Sequence, residues 1–111
     1  MSKFFTFNQN NSGGSFSYDE SSGISECVII EAKNADQAND RAECIGLYFD
    51  GCSDEMDCPC CGDRWSRVWK EDGDEIPSLY GEDVFKAKKS MFIEVVFIHY
   101  LSGEVVRVEL Q

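Results

Sequence analysis

A chain of 111 residues that is 42% hydrophobic and 13% aromatic can bury one core and is too apolar to be a disordered segment. Its net charge of −11 sets it against direct binding of nucleic-acid phosphates, which such a field repels. The acid is concentrated in the middle, where residues 50–83 hold eleven carboxylates against Arg64, Arg67 and Lys70; this suits a basic partner, including a protein surface that normally holds nucleic acid, although solubility is the plainer use.

The opening residues run from Lys3 through Phe7 straight into Asn8-Gln9-Asn10-Asn11. No apolar stretch there has the length of a signal peptide or a membrane span, so a cytoplasmic protein is expected. In that reducing compartment the six cysteines serve as metal ligands or free thiols rather than as a disulfide framework.

Residues 3–7 predict a short strand with Phe5 and Phe7 on one face and Phe4 and Thr6 on the other, and the alternation over residues 15–18 completes a hairpin with a loose polar loop. Cys27-Val28-Ile29-Ile30, flanked by Glu26 and Glu31, is a continuous apolar run that predicts a central strand buried on both faces. The best helix signal follows: Asn34 as cap, Gln37 three residues on, one stripe of Ala35, Ala38, Ala42 and Ile45, and Gly46 as the stop. Cys44 lies in the last turn beside that stripe and is expected to be a buried small side chain.

Residues 65–69 predict a strand with Trp65, Arg67 and Trp69 on one face, and residues 71–83 an acidic irregular loop pinned by Ile76, Leu79 and Tyr80. Lys86, Lys88 and Lys89 form a small basic cluster that balances nearby acid. Residues 91–101 give the strongest strand, with Met91, Ile93, Val95, Phe97 and His99 on one face; Ser102-Gly103 turns the chain, and Val106, Val108 and Leu110 alternate with Val105, Arg107 and Glu109 in a half-exposed partner. The whole reads as a single domain over residues 1–111, an α+β fold in which an antiparallel sheet of five or six strands carries one helix and a zinc-knuckle-like cysteine loop.

That loop, Asp57-Cys58-Pro59-Cys60-Cys61-Gly62-Asp63-Arg64-Trp65, contains three cysteines within four positions. Cys58 and Cys61, three apart in a turn shaped by Pro59 and Gly62, have the spacing of half a structural zinc site. The second half is missing, so Cys52 is taken as the third ligand and His99 or Cys44 as the fourth; a buried, hydrogen-bonded histidine is the competing reading of His99. Asp54, Glu55, Asp57 and Asp63 surround the thiols with negative charge, which opposes the lowered pKa of a catalytic cysteine. Those carboxylates lack the full calcium-loop pattern and read as a solvated acidic loop. Arg64 and Trp65 either brace the turn or, if exposed beside Asp54, Glu55 and Asp57, anchor a partner.

Gly46-Leu47-Tyr48-Phe49-Asp50-Gly51 followed by the cysteine segment from Asp57 to Trp65 resembles a family of small, uncharacterised proteins encoded by tailed bacteriophages, and the Asn-rich, Gly-Gly opening is similar too. The resemblance covers most of the chain and carries no assigned activity; Cys52 and Cys44 lie outside its specific core. It implies a viral origin, a bacterial cytoplasm as workplace, and an accessory protein that binds and alters a host protein or counters a host defence. The leading expectation is a non-enzymatic, zinc-stabilised interaction protein, in its sharper form a mimic of nucleic acid. The alternatives are a small cysteine-dependent or redox enzyme and a sponge for a nucleotide-like signal, the last requiring a local basic pocket.

Overall fold

A computed structural model of the chain describes residues 2–9, 19–49, 65–79, 82–87 and 94–110. The expected strand over residues 15–18, the cysteine segment from Cys52 to Arg64, Tyr80, Lys88, Lys89 and the first half of the long strand from Met91 lie outside the described residues.

Among the described residues, six strands and one α-helix follow in the order β1 (Lys3–Asn8), β2 (Cys27–Ala32), α1 (Ala35–Ile45), β3 (Ser78–Leu79), β4 (Glu82–Asp83), β5 (Val95–His99) and β6 (Val105–Glu109). Four make the main sheet, in the order β1-β2-β5-β6, and β3 and β4 form a separate two-residue ladder. The α+β class is as expected, but the sheet is mixed and not antiparallel throughout. β1 runs antiparallel to β2 with Phe5 opposite Ile30, whereas β2 and β5 are parallel with Ile29 opposite Ile98. The reason is the connection: a crossover containing α1, in place of a hairpin, returns the chain to the end from which β2 began. β5 and β6 are antiparallel, Val95 facing Glu109, and join through the expected turn at residues 101–103.

β2 is the buried centre. Cys27, Val28, Ile29 and Ile30 are all fully enclosed, because each sheet face has its own cover. On one side Phe5, Phe7, Val28 and Ile30 pack under Ala35, Ala38 and Ala42 of α1, joined by Leu47, Phe49, Trp65 and Val68. On the other, Ile29, Val96 and Ile98 pack against Leu79, Val84, Ala87 and Leu110. Each large apolar side chain so enclosed contributes about 1.5–3 kcal/mol, and the Ala stripe keeps α1 close to the sheet.

The helix starts as its sequence predicts. Asn34 Oδ1 accepts from Gln37 N at 2.8 Å, and Gln37 Oε1 reaches back to Lys33 N at 2.7 Å, one residue before the cap. Gly46 closes it at φ +120°, a value side chains rarely tolerate. Arg41 then ties α1 to the sheet, donating from Nη1 to Glu31 O and from Nη2 to Tyr100 O at 2.9 Å. The Glu31 carboxylate accepts from Ser2 Oγ and from Leu101 N, and with Arg41 nearby these hydrogen bonds hold its pKa below the usual range.

Local expectations needed correction at four places. Cys44 is exposed, not buried. Residues 65–69 lie in no ladder, and they do not present their tryptophans together: Trp65 is 2% exposed and Trp69 68%. Within the acidic stretch Leu79 is buried as expected but Ile76 is half exposed. The same stretch is less irregular than expected, since Asp74 exchanges backbone hydrogen bonds with Phe4 at 2.7 and 2.9 Å and so covers the outer edge of β1. None of the described helices is long and apolar enough to cross a membrane.

Candidate functional site

The first turn of α1 and the segment after Trp65 enclose a cleft of about 450 Å³, lined by Asn34, Asp36, Asn39, Arg67, Trp69 and Lys70 among others. Its walls are built by local hydrogen bonding. Val68 is buried, and both of its backbone groups are held by one side chain: Asn39 Nδ2 donates to Val68 O at 3.1 Å and Asn39 Oδ1 accepts from Val68 N at 2.9 Å. Helix α1 thereby provides the pairing that a neighbouring strand would have supplied.

Trp69 comes next, and the chain turns away immediately. Asp72 Oδ2 accepts from Trp69 N at 2.8 Å, while Asp72 N donates to Trp69 O at 2.9 Å. This short turn over Lys70–Asp72 fixes the backbone of Trp69 while leaving its indole in solvent. Arg67 lies over the Phe49 ring, 4.9 Å from Cζ to centroid, and Phe49 stacks on Phe7 at 6.1 Å. A guanidinium supported on an aromatic face loses little further freedom on binding. Arg67 and Lys70 are balanced around the cleft by Asp36 and Glu71, so the site is mixed in charge.

The sequence-predicted residues divide. Cys52, Cys58, Cys61, Asp54, Glu55, Asp57 and Arg64 lie outside the described residues. Trp65 is core, packed in the cluster of Phe49 and Val68. His99 is buried at the end of β5, and its Nε2–H donates to Gly23 O at 2.8 Å. Burial lowers its pKa from 6.5, the Gly23 carbonyl acting in the opposite sense and Arg41 adding a small lowering. Cys27 is sealed within β2; desolvation, with a contribution from Glu26, pushes its thiol up to about 12, the state of an inert cysteine. Among the described residues no group of three or more His, Cys, Asp or Glu side chains is placed to hold a metal.

Arg67, Trp69 and Lys70 were not singled out as a site by their sequence. The available signal was Asp72, three residues beyond Trp69, which marks a capped turn and so the end of any strand there.

Fold and cleft define a small α+β protein with a mixed sheet, one flanking helix and an aromatic-rimmed surface cleft. The chain belongs to the family described as Domain of unknown function (DUF7296), whose model matches residues 2–110. No curated protein and no solved structure matches this chain.

Proposed function

We propose that this protein is a non-enzymatic accessory protein of a tailed bacteriophage that binds and modulates a host protein in the bacterial cytoplasm. Its contact surface includes the rim formed by Arg67, Trp69 and Lys70, and the sequence adds Arg64 and the carboxylates Asp54, Glu55 and Asp57 as further candidate contacts. The observation that carries this reading is Trp69, 68% exposed on a backbone fixed by Asp72 and next to the clamped Val68. Trp and Arg are the residue types that dominate binding hot spots, and a fixed backbone reduces the entropy lost on association.

Zinc held by Cys58 and Cys61, with Cys52 third, pins the preceding turn in this reading. The exposed thiol of Cys44 supports Cys44 as the fourth ligand over His99, whose ring is buried at the end of β5. The acidic middle directs the surface toward a basic partner, including one that otherwise binds nucleic acid. A nucleotide-signal sponge is less well supported, because the cleft carries Asp36 and Glu71 beside its two cations.

The test is capture of host proteins by the tagged full chain and by its Trp69→Ala and Arg67→Ala variants. A partner retained by the wild type and lost by both folded variants supports the reading; identical capture by all three overturns the rim as the contact surface.

A further inference from the structure

Among the described residues β6 ends the main sheet, with β5 on its inner side and no strand on its outer side. The hydrogen-bond phase of that edge is fixed. Leu110 N donates to Glu94 O and Tyr100 N to Glu104 O, so in the alternating antiparallel pattern the even-numbered residues of β6 point their backbone groups toward β5. Val105, Arg107 and Glu109 therefore direct theirs outward.

We infer that this edge pairs antiparallel with the same edge of a second copy, in the register that sets Arg107 opposite Glu109 of the second copy and Val108 opposite its own counterpart. Two-fold symmetry and hydrogen-bond phase leave few registers, since an outward-facing residue must meet another outward-facing one. The register that overlaps Val105–Glu109 completely places Arg107 against Arg107 and Val105 against Glu109, opposing like charges. A shift of one residue in each copy replaces these with two Arg107–Glu109 pairs.

The same shift treats the apolar face well. Val108 is only partly buried and packs on the cluster of Val96, Ile98 and Leu110. At the two-fold axis it forms a non-hydrogen-bonded pair, the kind in which facing side chains approach most closely. The two clusters become continuous across the dimer. Arg107 already pairs within its own chain, at 2.6 Å from Glu109 and 3.7 Å from Glu20 with its side chain 43% exposed, so the dimer shares or exchanges these exposed pairs and the net gain from them is small. A single short edge makes a small interface, so the association is reversible, about micromolar or weaker. The dimer leaves the Trp69 cleft out of its contacts and stands independently of the proposed host partner.

Sedimentation velocity in reducing buffer, which prevents thiol cross-links, tests the inference across protein concentrations up to about 1 mM. The wild-type mass should climb from 12.5 kDa toward twice that value. Glu109→Arg should remain monomeric throughout, and the double variant Arg107→Glu/Glu109→Arg, which restores the opposite-charge pairs, should associate again. A wild type that stays monomeric overturns the inference, as does a dimer that Glu109→Arg leaves unchanged. Because the wild-type mass alone can refute it, the inference does not depend on the variants folding.

Discussion

The side-chain amide of Asn39 holds both backbone groups of Val68, at 3.1 Å to its oxygen and 2.9 Å from its nitrogen. One residue of the helix thus substitutes for a strand. Asn39→Ala leaves both groups without this partner and should destabilise the fold by about 1–2 kcal/mol, less than a fully dry pair because the cleft admits water. Asn39→Asp, which keeps the acceptor and loses the donor, should fall between wild type and Ala. Urea denaturation measures both, and equal stability of all three proteins would show that the clamp contributes nothing.

The two tryptophans should respond in opposite ways to truncation. Trp65→Ala opens a cavity in the core beneath α1 and should cost about 3–5 kcal/mol. Trp69→Ala removes a solvent-exposed indole and should change stability by no more than about 0.5 kcal/mol, while removing the anchor proposed for partner binding. Thermal denaturation of the two variants checks the contrast; a large loss from Trp69→Ala would make it a structural residue.

Much of this was legible in local sequence, and what was not depends on non-local geometry. Asn34, Gln37, the Ala stripe and Gly46 specify α1 because capping and amphipathicity act within a few residues. The double burial of Cys27 to Ile30 was readable as an unbroken apolar run. That run is also the mark of a parallel strand, yet the direction of its partner depends on a distant crossover that no short-range pattern encodes. Cys44 was misplaced by proximity: at 100° per residue it lies about 200° around the helix from Ala42, off the buried stripe. Trp65 and Trp69 share a face only if the segment is a regular strand, and Asn39 and Asp72 make it something else. As for the candidate site, the six positions from Cys58 to Asp63 carry the strongest motif but lie outside the described residues, whereas the cleft is an encounter of two segments some thirty residues apart, Asn39 and Val68, invisible to any spacing rule.

Gly23 meets His99 too closely for any other residue. At φ +74° it occupies the left-handed region, and a Cβ there would lie 2.7 Å from His99 Cε1 and 2.8 Å from Nε2. Gly23→Ala should therefore cost about 2–4 kcal/mol, from backbone strain and from displacement of a buried ring. Chemical denaturation reads the loss. A variant as stable as wild type would mean that His99 moves aside without penalty.

The same histidine makes stability depend on pH in a definite direction. Burial holds the folded pKa of His99 below 6.5, while the unfolded chain takes up its proton near the ordinary value of about 6.5. Between those two values the unfolded state binds more protons, so the His99 contribution is fully present above the unfolded pKa and is lost as pH falls toward and through the folded one. His99→Gln retains an amide donor for Gly23 and cannot titrate, so the difference in stability between wild type and variant should shrink or reverse on acidification from neutral pH. With one histidine in the chain, its ring resonance in an NMR titration gives the folded pKa directly, and a value at or above 6.5 contradicts the prediction.

The cysteines should separate into kinetic classes when the native protein is titrated with a disulfide reagent and the labelled positions are mapped by mass spectrometry. Cys27 is enclosed on both sheet faces and its thiol is pushed up to about 12, so almost no thiolate is present near neutral pH and the reagent has no path to it. It should label only at the rate of global unfolding, and denaturant should abolish its protection. Cys58 and Cys61, if they hold zinc as proposed, should label slowly until a chelator is added and quickly afterwards, with one zinc per chain released. Cys44, exposed on α1, distinguishes the two candidates for the fourth ligand: it should label with the chelator-released group if it binds the metal, and at once if His99 does. Immediate reaction of Cys58 and Cys61 in protein that contains no metal would remove zinc from the account, whereas rapid labelling of Cys27 in the native protein would contradict the buried parallel pair at the centre of the sheet.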